Sequence, residues 1–417
     1  MSSRAACATV RMYNVGFGDC FLLTLPESDR PRKVLIDCGS HSHGKGPKPI
    51  GEVVARLLED IDEGGRKRID VVVATHRHQD HVSGFESDLW DDVEVGEVWL
   101  PWTEDPQDVE ARRILERQSR AARSLQRAAL SFKESNPFRA SALALAENSL
   151  TNARAMATLH RGFAGHPLRR YLPSQSSQNR TFKSDCLPLG VKVHVLGPSR
   201  DPEVIRDMDP PRDERYLRLA MEPETSGQER AALFASRWTM SQEELKRIPS
   251  FSHLAAVKTR QLRKIQRFSR IDSQETLQLA VQLEKAINGT SLVLIFEVGK
   301  ACLLFPGDAQ WGTWRVALAD TEWRDLLART SFFKIGHHGS HNATPKDLVE
   351  HVLPEGLAAM VSTRKVSNWP DIPRAPLLEA LSKKSTRGLV RSDDPPSELP
   401  DAFSRVDDLC MELKVPL

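Results

Sequence analysis

The first hundred residues alternate short apolar runs with turn punctuation. "ATVRMYNVG" and "CFLLTL" flank the Gly-rich "GFGD" and predict a hairpin. "KVLIDCG" (33–39) predicts a third strand ending at Gly39. "PIGEVVARLLEDI" (49–61) puts Val53, Val54, Leu57, Leu58 and Ile61 on one side of a helix. "RIDVVVATH" shows no alternation, the mark of a strand covered on both faces. "VGEVWLPW" (95–102) predicts one more short strand. From Thr103 to Gly162 the pattern changes to Ala, Leu, Arg and Gln, and two helices are predicted there, separated by "NPF". Their sequences are "VEARRILERQSRAARSLQRAALSF" and "RASALALAENSLTNARAMATL". "GVKVHVLGPS" (190–199) returns to strand, and a charged helical stretch fills 200–285. "NGTSLVLIFEVGKACLLFPGD" (288–308) predicts a hairpin turning at "EVGK". "SFFKIGHHGSH" (331–341) is a strand ending in histidines, and "LAAMVST" and "RGLVRSD" are strands around the helix "APLLEALSKK". The order fits a single layered α/β domain over 1–417 with two helical insertions, at 103–185 and 200–285.

The bulk numbers leave that picture intact. A chain of 417 residues, 40% hydrophobic and 27% charged, is long enough to bury a sizeable core. The net charge of +2 decides nothing about partners, but residues 101–200 hold 16 Lys/Arg against 8 Asp/Glu. The first insertion is therefore basic, as a surface for phosphates would be, although no aromatics interleave with the arginines for base stacking. No apolar run is long enough to span a bilayer, so no membrane partner is expected. "MSSRAACATVRMYNVG" lacks the apolar stretch and cleavage site of a signal peptide. Six cysteines (Cys7, Cys20, Cys38, Cys186, Cys302 and Cys410) show no CxxC spacing, which fits reduced thiols in the cytoplasm.

The chemistry is concentrated in "THRHQDHVSG" (75–84), directly after the valine run. His76 and His78, two apart, can reach one cation, and Asp80 and His81 can turn to a second beside it. A carboxylate between two cations can bridge them, and Asp308, behind Gly307, is the candidate. His337 and His338 end a strand. Neighbouring strand residues face opposite ways, so one ligand is expected from the pair. His338 is the preferred ligand, leaving His337 to contact substrate or give a proton to the leaving group, with the reverse assignment open. Ser340 and His341 are weaker candidates.

These residues resemble the metallo-β-lactamase superfamily. "THRHQDHVSG" is similar to its central signature, and the remaining blocks resemble its ComEC-like (competence protein) branch as a free-standing protein. "YNVGFGDCFLLTL", which carries Asp19, resembles that branch's opening hairpin. "VLIDCGS" resembles its second strand, with Asp37 in the place of an acidic residue that supports the metal loop. "LLFPGDAQ" resembles its strand end carrying Gly-Asp, and "FFKIGHHGSH" its HHGS block. The blocks occur in the family's order within 1–102 and 186–417, the second insertion apart. The resemblance implies a four-layered αβ/βα sandwich with two divalent cations, Zn2+ or Mn2+. Many superfamily members add a histidine to the first metal. His160, His166, His194 and His253 are available, none in a matching motif. Relatives often carry Gly-His-Pro in the closing block, where this chain has "NWPDIP" (368–373). His41 and His43, after the second strand, could lie on the site rim, although a Gly/Ser/Pro loop favours simple exposure.

Two adjacent cations can share a water and lower its pKa, so hydrolysis is the expected reaction. The branch resemblance points to phosphodiesters, DNA or RNA, and hence to a nuclease or phosphodiesterase with Asp80 and His337 as catalytic residues. A small-molecule hydrolase (cyclic nucleotide, lactone or thioester) is the alternative. A metal-stabilised scaffold, docking protein partners or a second copy through its insertions, is a third reading.

Overall fold

The computed structural model describes residues 6–136, 138–150, 152–175, 180–216, 273–340, 342–366 and 369–417. Two compact units emerge. The larger takes 1–115, 151–220 and 286–417, and the smaller takes 116–150 and 221–285. The smaller unit is drawn from within the two expected insertions.

The larger unit is an αβ/βα sandwich, the four-layered arrangement the resemblance implies. One eight-stranded sheet runs β14 (Phe403–Arg405), β15 (Cys410–Pro416), β1 (Cys7–Tyr13), β2 (Cys20–Leu25), β3 (Arg32–Cys38), β4 (Arg68–Val73), β5 (Glu94–Pro101), β6 (Leu168–Leu172). The seven-stranded sheet runs β13 (Leu389–Arg391), β12 (Ala358–Val361), β11 (Thr330–Lys334), β10 (Ala301–Phe305), β9 (Val293–Val298), β8 (Lys192–Gly197), β7 (Thr181–Phe182). Their inner faces share one core, in which Val10, Phe21, Val71 and Trp99 meet Leu294, Phe296, Phe305 and Phe332. Trp99 stacks on Phe296 with ring centroids 6.1 Å apart. Helix α1 (Ile50–Asp60) buries Val53, Val54, Leu57 and Leu58 on the outer face of the first sheet, the stripe its spacing predicts. Two helices that follow β10, over Trp311–Ala319 and Thr321–Leu327, cover the second sheet together with the helix Ala375–Lys384. Strands β3 to β6 are parallel, as are β10 to β13. Covering on both faces is why β4 reads as an unbroken apolar run.

Several elements depart from the sequence expectation. Residues 103–185 are not helical throughout, because β6 and β7 add edges to the two sheets. The predicted second helix of that stretch is two helices, Arg139–Leu150 and Ala153–Arg161. The side-chain amide of Asn152, just before the second of these, donates to the carbonyl of Arg77. Between 200 and 285 a short helix (Pro202–Arg206) and the helix Ser273–Asn288 are described, and 217–272 lie outside the described residues. The C-terminal strands β14 and β15 were not anticipated. β15 pairs antiparallel along the whole of β1, from Cys7↔Pro416 to Tyr13↔Cys410. All six cysteines are free thiols. Among the described residues no helix is long and apolar enough to cross a membrane.

Glu97 pins the β5–β6 edge. Its carboxylate accepts from Arg170 Nε and Nη2 at 2.8 and 2.7 Å, from Trp99 Nε1 at 2.7 Å and from Ser184 Oγ at 3.0 Å. Burial pushes its pKa up, but Arg170 and Trp99 outweigh that and hold it below the ordinary glutamate value. A depressed folded-state pKa adds stability that is present above the unfolded-state value and is lost as pH falls through the folded one. Glu97→Ala is expected to cost about 3 kcal/mol at pH 7. The gap from wild type should narrow below about pH 4. Urea unfolding at pH 7 and pH 3.5 checks both, and equal stabilities at pH 7 would contradict the assignment.

Candidate metal centre

The loops that leave β3, β4, β10 and β11 converge at one end of the sandwich. In parallel arrays the C-terminal strand ends are where loops gather polar side chains. Asp37, near the end of β3, has φ +55. Its carboxylate accepts from the Thr75 amide and hydroxyl, both at 2.7 Å, and lies 2.8 Å from His81 Nδ1. The metal loop is thus tied to the neighbouring strand before it turns into the short helix α2 (Gln79–Val82), which presents Asp80 and His81. From the other sheet, Leu292 N–H donates to the Thr75 carbonyl at 2.8 Å and Asp308 N–H to Ser291 Oγ at 3.2 Å. Gly307 has φ +54, and a Cβ there would meet Thr75 Cβ at 2.9 Å. Only glycine lets β10 end this close to the loop.

Asp80, His81, Asp308 and His338 come together, each offering a ligand atom within 4.8 Å of the others, and all four are buried. His81 Nε2 is 3.2 Å from Asp308 Oδ2, and His338 Nε2 is 3.1 Å from Asp80 Oδ2. His338 Nδ1 donates to the Ser362 carbonyl at 2.9 Å, which turns Nε2 toward the Asp80 carboxylate oxygen. Two acceptors at that separation require a proton or a cation between them. Buried Asp80 Oδ1 has no hydrogen-bond partner among the described residues. His76 and His78 adjoin the cluster, with His76 Nε2 3.1 Å from His78 Nδ1 and the His76 ring 4.1 Å from that of His81. Nitrogen and carboxylate donors in this mixture suit divalent zinc or manganese. The donor set therefore fits a divalent cation.

Electrostatics point the same way. Burial pushes the Asp80 carboxyl up, but His338 and His81 outweigh it and hold the group well below the usual carboxylate range. For Asp308 burial is likewise overcome, by His81 and His337. Burial pulls the His81 imidazole down, yet Asp308 and Asp37 drive it well above its ordinary value. His76 goes the other way, because burial and then its neighbours His81 and His78 hold it well below, so its nitrogen is free of a proton at neutral pH. Four buried carboxylates (Asp19, Asp37, Asp80 and Asp308) face one buried ammonium, that of Lys334. The pocket is built to gather positive charge.

His337 and His338 do not follow strand alternation. They lie past β11 in a tight turn, both with left-handed backbone, at φ +46 and +54. Asp37, His337 and His338 are three of five non-glycine residues with positive φ among those described, so backbone strain concentrates at the centre. His337 Nε2 is 3.8 Å from Asp308 Oδ2 and 3.3 Å from Asn288 Nδ2. Ser340 Oγ donates to Asn342 and is engaged there. His341 and His253 lie outside the described residues. The other spare histidines are elsewhere. His160 sits between Tyr171 and Glu104, His194 between Thr181 and Glu297, and His166 is exposed. His41 is buried, against the exposure expected of its loop, because Phe17 and Trp369 pack around it, whereas His43 is exposed.

Residues 13–87 match the family model of the metallo-beta-lactamase superfamily. No curated protein matches the chain. The matched stretch holds Asp19, Asp37 and the whole metal loop, and it ends well before Asp308 and the paired histidines. Proteins of that superfamily are usually metal-dependent hydrolases.

Two neighbours of the centre escaped sequence reasoning. Phe17 lies against His338, centroids 4.1 Å apart, and stacks on Trp369 at 5.3 Å. Lys334 ends β11 fully buried, paired with Asp19 and 3.8 Å from Asp308 Oδ1. Burial lowers its pKa, but Asp19 and Asp308 more than reverse that. A lysine inside "FFKIG" was the available signal, since lysine is almost never fully buried unless paired. Lys334→Met strands Asp19 in the interior and is expected to cost about 3–5 kcal/mol. Asp19→Asn/Lys334→Met should cost clearly less than the two single changes added together. Chemical denaturation of the four proteins measures the coupling, and strict additivity would remove the pair.

Proposed function

We propose that this protein is a binuclear metal-dependent phosphodiesterase, acting on DNA or RNA. The observation that carries the proposal is the buried quartet Asp80, His81, Asp308 and His338, with His76 and His78 beside it. When bound, two divalent cations supply Lewis-acid charge and an activated water. His76 and His78 would hold one cation and Asp80, His81 and His338 the other, with Asp308 available to both. Asp37 orients His81 through Nδ1, an outer-shell contact that fixes which nitrogen faces the metal. We assign His337, whose Nε2 is 3.8 Å from Asp308 Oδ2, the role of giving a proton to the leaving oxygen. The phosphodiester class is supported by the ComEC-like blocks and by the basic stretch between β5 and β6.

Purified protein supplied with Mn2+ or Zn2+ is expected to cleave at least one of bis(p-nitrophenyl) phosphate, single-stranded DNA, duplex DNA and RNA. Elemental analysis should find close to two ions per chain. Failure on all four substrates with two ions bound would overturn the substrate class. Asp37→Asn is expected to lower metal affinity or activity about 10–100-fold. Asp80→Ala removes a carboxylate that would hold a cation and should fall further. If Asp80→Ala stayed folded with full activity, the catalytic assignment would be wrong.

A further inference from the structure

Helix α3 (Val109–Leu130) carries a feature that the metal centre does not use. It has six arginines, Arg112, Arg113, Arg117, Arg120, Arg123 and Arg127, and no lysine. All six are exposed. At 3.6 residues per turn they fall within an arc of about 140° and extend along roughly 22 Å of the helix axis. Ala111, Gln118, Ala122, Leu125 and Ala129, on the opposite side, are the buried residues. Two acids, Glu110 and Glu116, pair with Arg113 at 3.4 Å and Arg120 at 3.2 Å. Exposed pairs of this kind are weak and yield readily to a polyanion. The face is thus a cationic stripe opposite the buried side of the helix.

We infer that this arginine face of α3 binds the phosphate backbone of a nucleic acid, which adds a substrate-binding surface to the proposed phosphodiesterase and rests on that reading. The use of arginine alone fits phosphate, because the guanidinium fork donates two parallel hydrogen bonds to it. The length fits a regularly charged polymer better than a single small anion. A membrane surface is disfavoured because an interfacial helix must offer an apolar face to lipid. Here the apolar side is buried in the protein, and the arc holds large apolar residues only at its ends, Val109 and Leu130. No aromatic side chain lies on the helix, so base stacking contributes nothing. The contact is therefore electrostatic and indifferent to base sequence.

The test uses the full chain and phosphorothioate DNA, single-stranded and duplex, which resists cleavage during binding. Arg120→Ala/Arg123→Ala/Arg127→Ala keeps helix propensity and removes three charges from the stripe. It should weaken DNA binding at least about tenfold at 50 mM salt and lower the slope of log affinity against log salt by about 2–3. Hydrolysis of bis(p-nitrophenyl) phosphate should be unchanged. Lys383→Ala/Arg405→Ala/Lys414→Ala, which removes three exposed charges elsewhere, should bind DNA like wild type. Equal losses in both triple variants, or no loss in the arginine variant, would overturn the inference. So would arginine-dependent binding to phosphatidylserine vesicles with DNA binding intact. Arginine-dependent DNA binding by a protein that hydrolyses no phosphodiester would uphold the binding surface and remove the phosphodiesterase reading alone.

Discussion

Everything at the functional end of this sandwich depends on four carboxylates held out of water with one ammonium between them. Charge in a low-dielectric interior is tolerated only when it is paired, hydrogen-bonded or bound to a cation. Asp37 is hydrogen-bonded to Thr75 and His81, and Asp19 is paired with Lys334. Asp80 and Asp308 are left facing imidazole nitrogens. The arrangement is a cation-binding one in its electrostatics before any family is considered. It also explains why burial, which alone would neutralise these carboxyls, does not do so for Asp80 and Asp308.

The two halves of the centre come from separate sheets, and their meeting is a backbone event. The Thr75–Leu292 hydrogen bond joins the loop after β4 to the segment before β9, and Gly307 removes the Cβ that would hold them apart. Left-handed backbone at Asp37, His337 and His338 aims side chains that a regular strand would send elsewhere. The wide shared core behind the site, from Val71 across to Phe332, holds these strained residues in place. Phe17 adds an apolar wall against His338, and Trp369 stacks on Phe17 in turn.

Much of this was legible in the chain itself. The valine run of β4, the stripe of α1, the β9–β10 hairpin and the polar residues of "THRHQDH" are local patterns, and local patterns survive in sequence. Edge strands are different. β6 and β7 lie in a stretch whose composition reads as helical, and β15 has no turn signal tying it to β1, which is nearly the whole chain away. Their pairing is decided by a free sheet edge that only the folded sheet possesses. Beside the break between the helices at 139–150 and 153–161, the Asn152 amide donates to the Arg77 carbonyl, another contact that only the folded chain supplies.

Residue type and spacing determined that the chain carries a layered α/β domain and a loop dense in metal-ligating side chains, because both follow from patterns of a few residues. Which residues share the buried cluster was decided only in three dimensions. His338 joins Asp80 because a left-handed turn, not strand alternation, sets its direction. His160, His166 and His194 are excluded because their own elements carry them to other partners or to solvent. Lys334 and Phe17 become part of the centre because strand ends from two sheets converge there, and a contact across hundreds of residues leaves no trace in local sequence. The arginine stripe lies between these cases: its periodicity is written in the sequence, but which side of the helix is buried is a property of the fold.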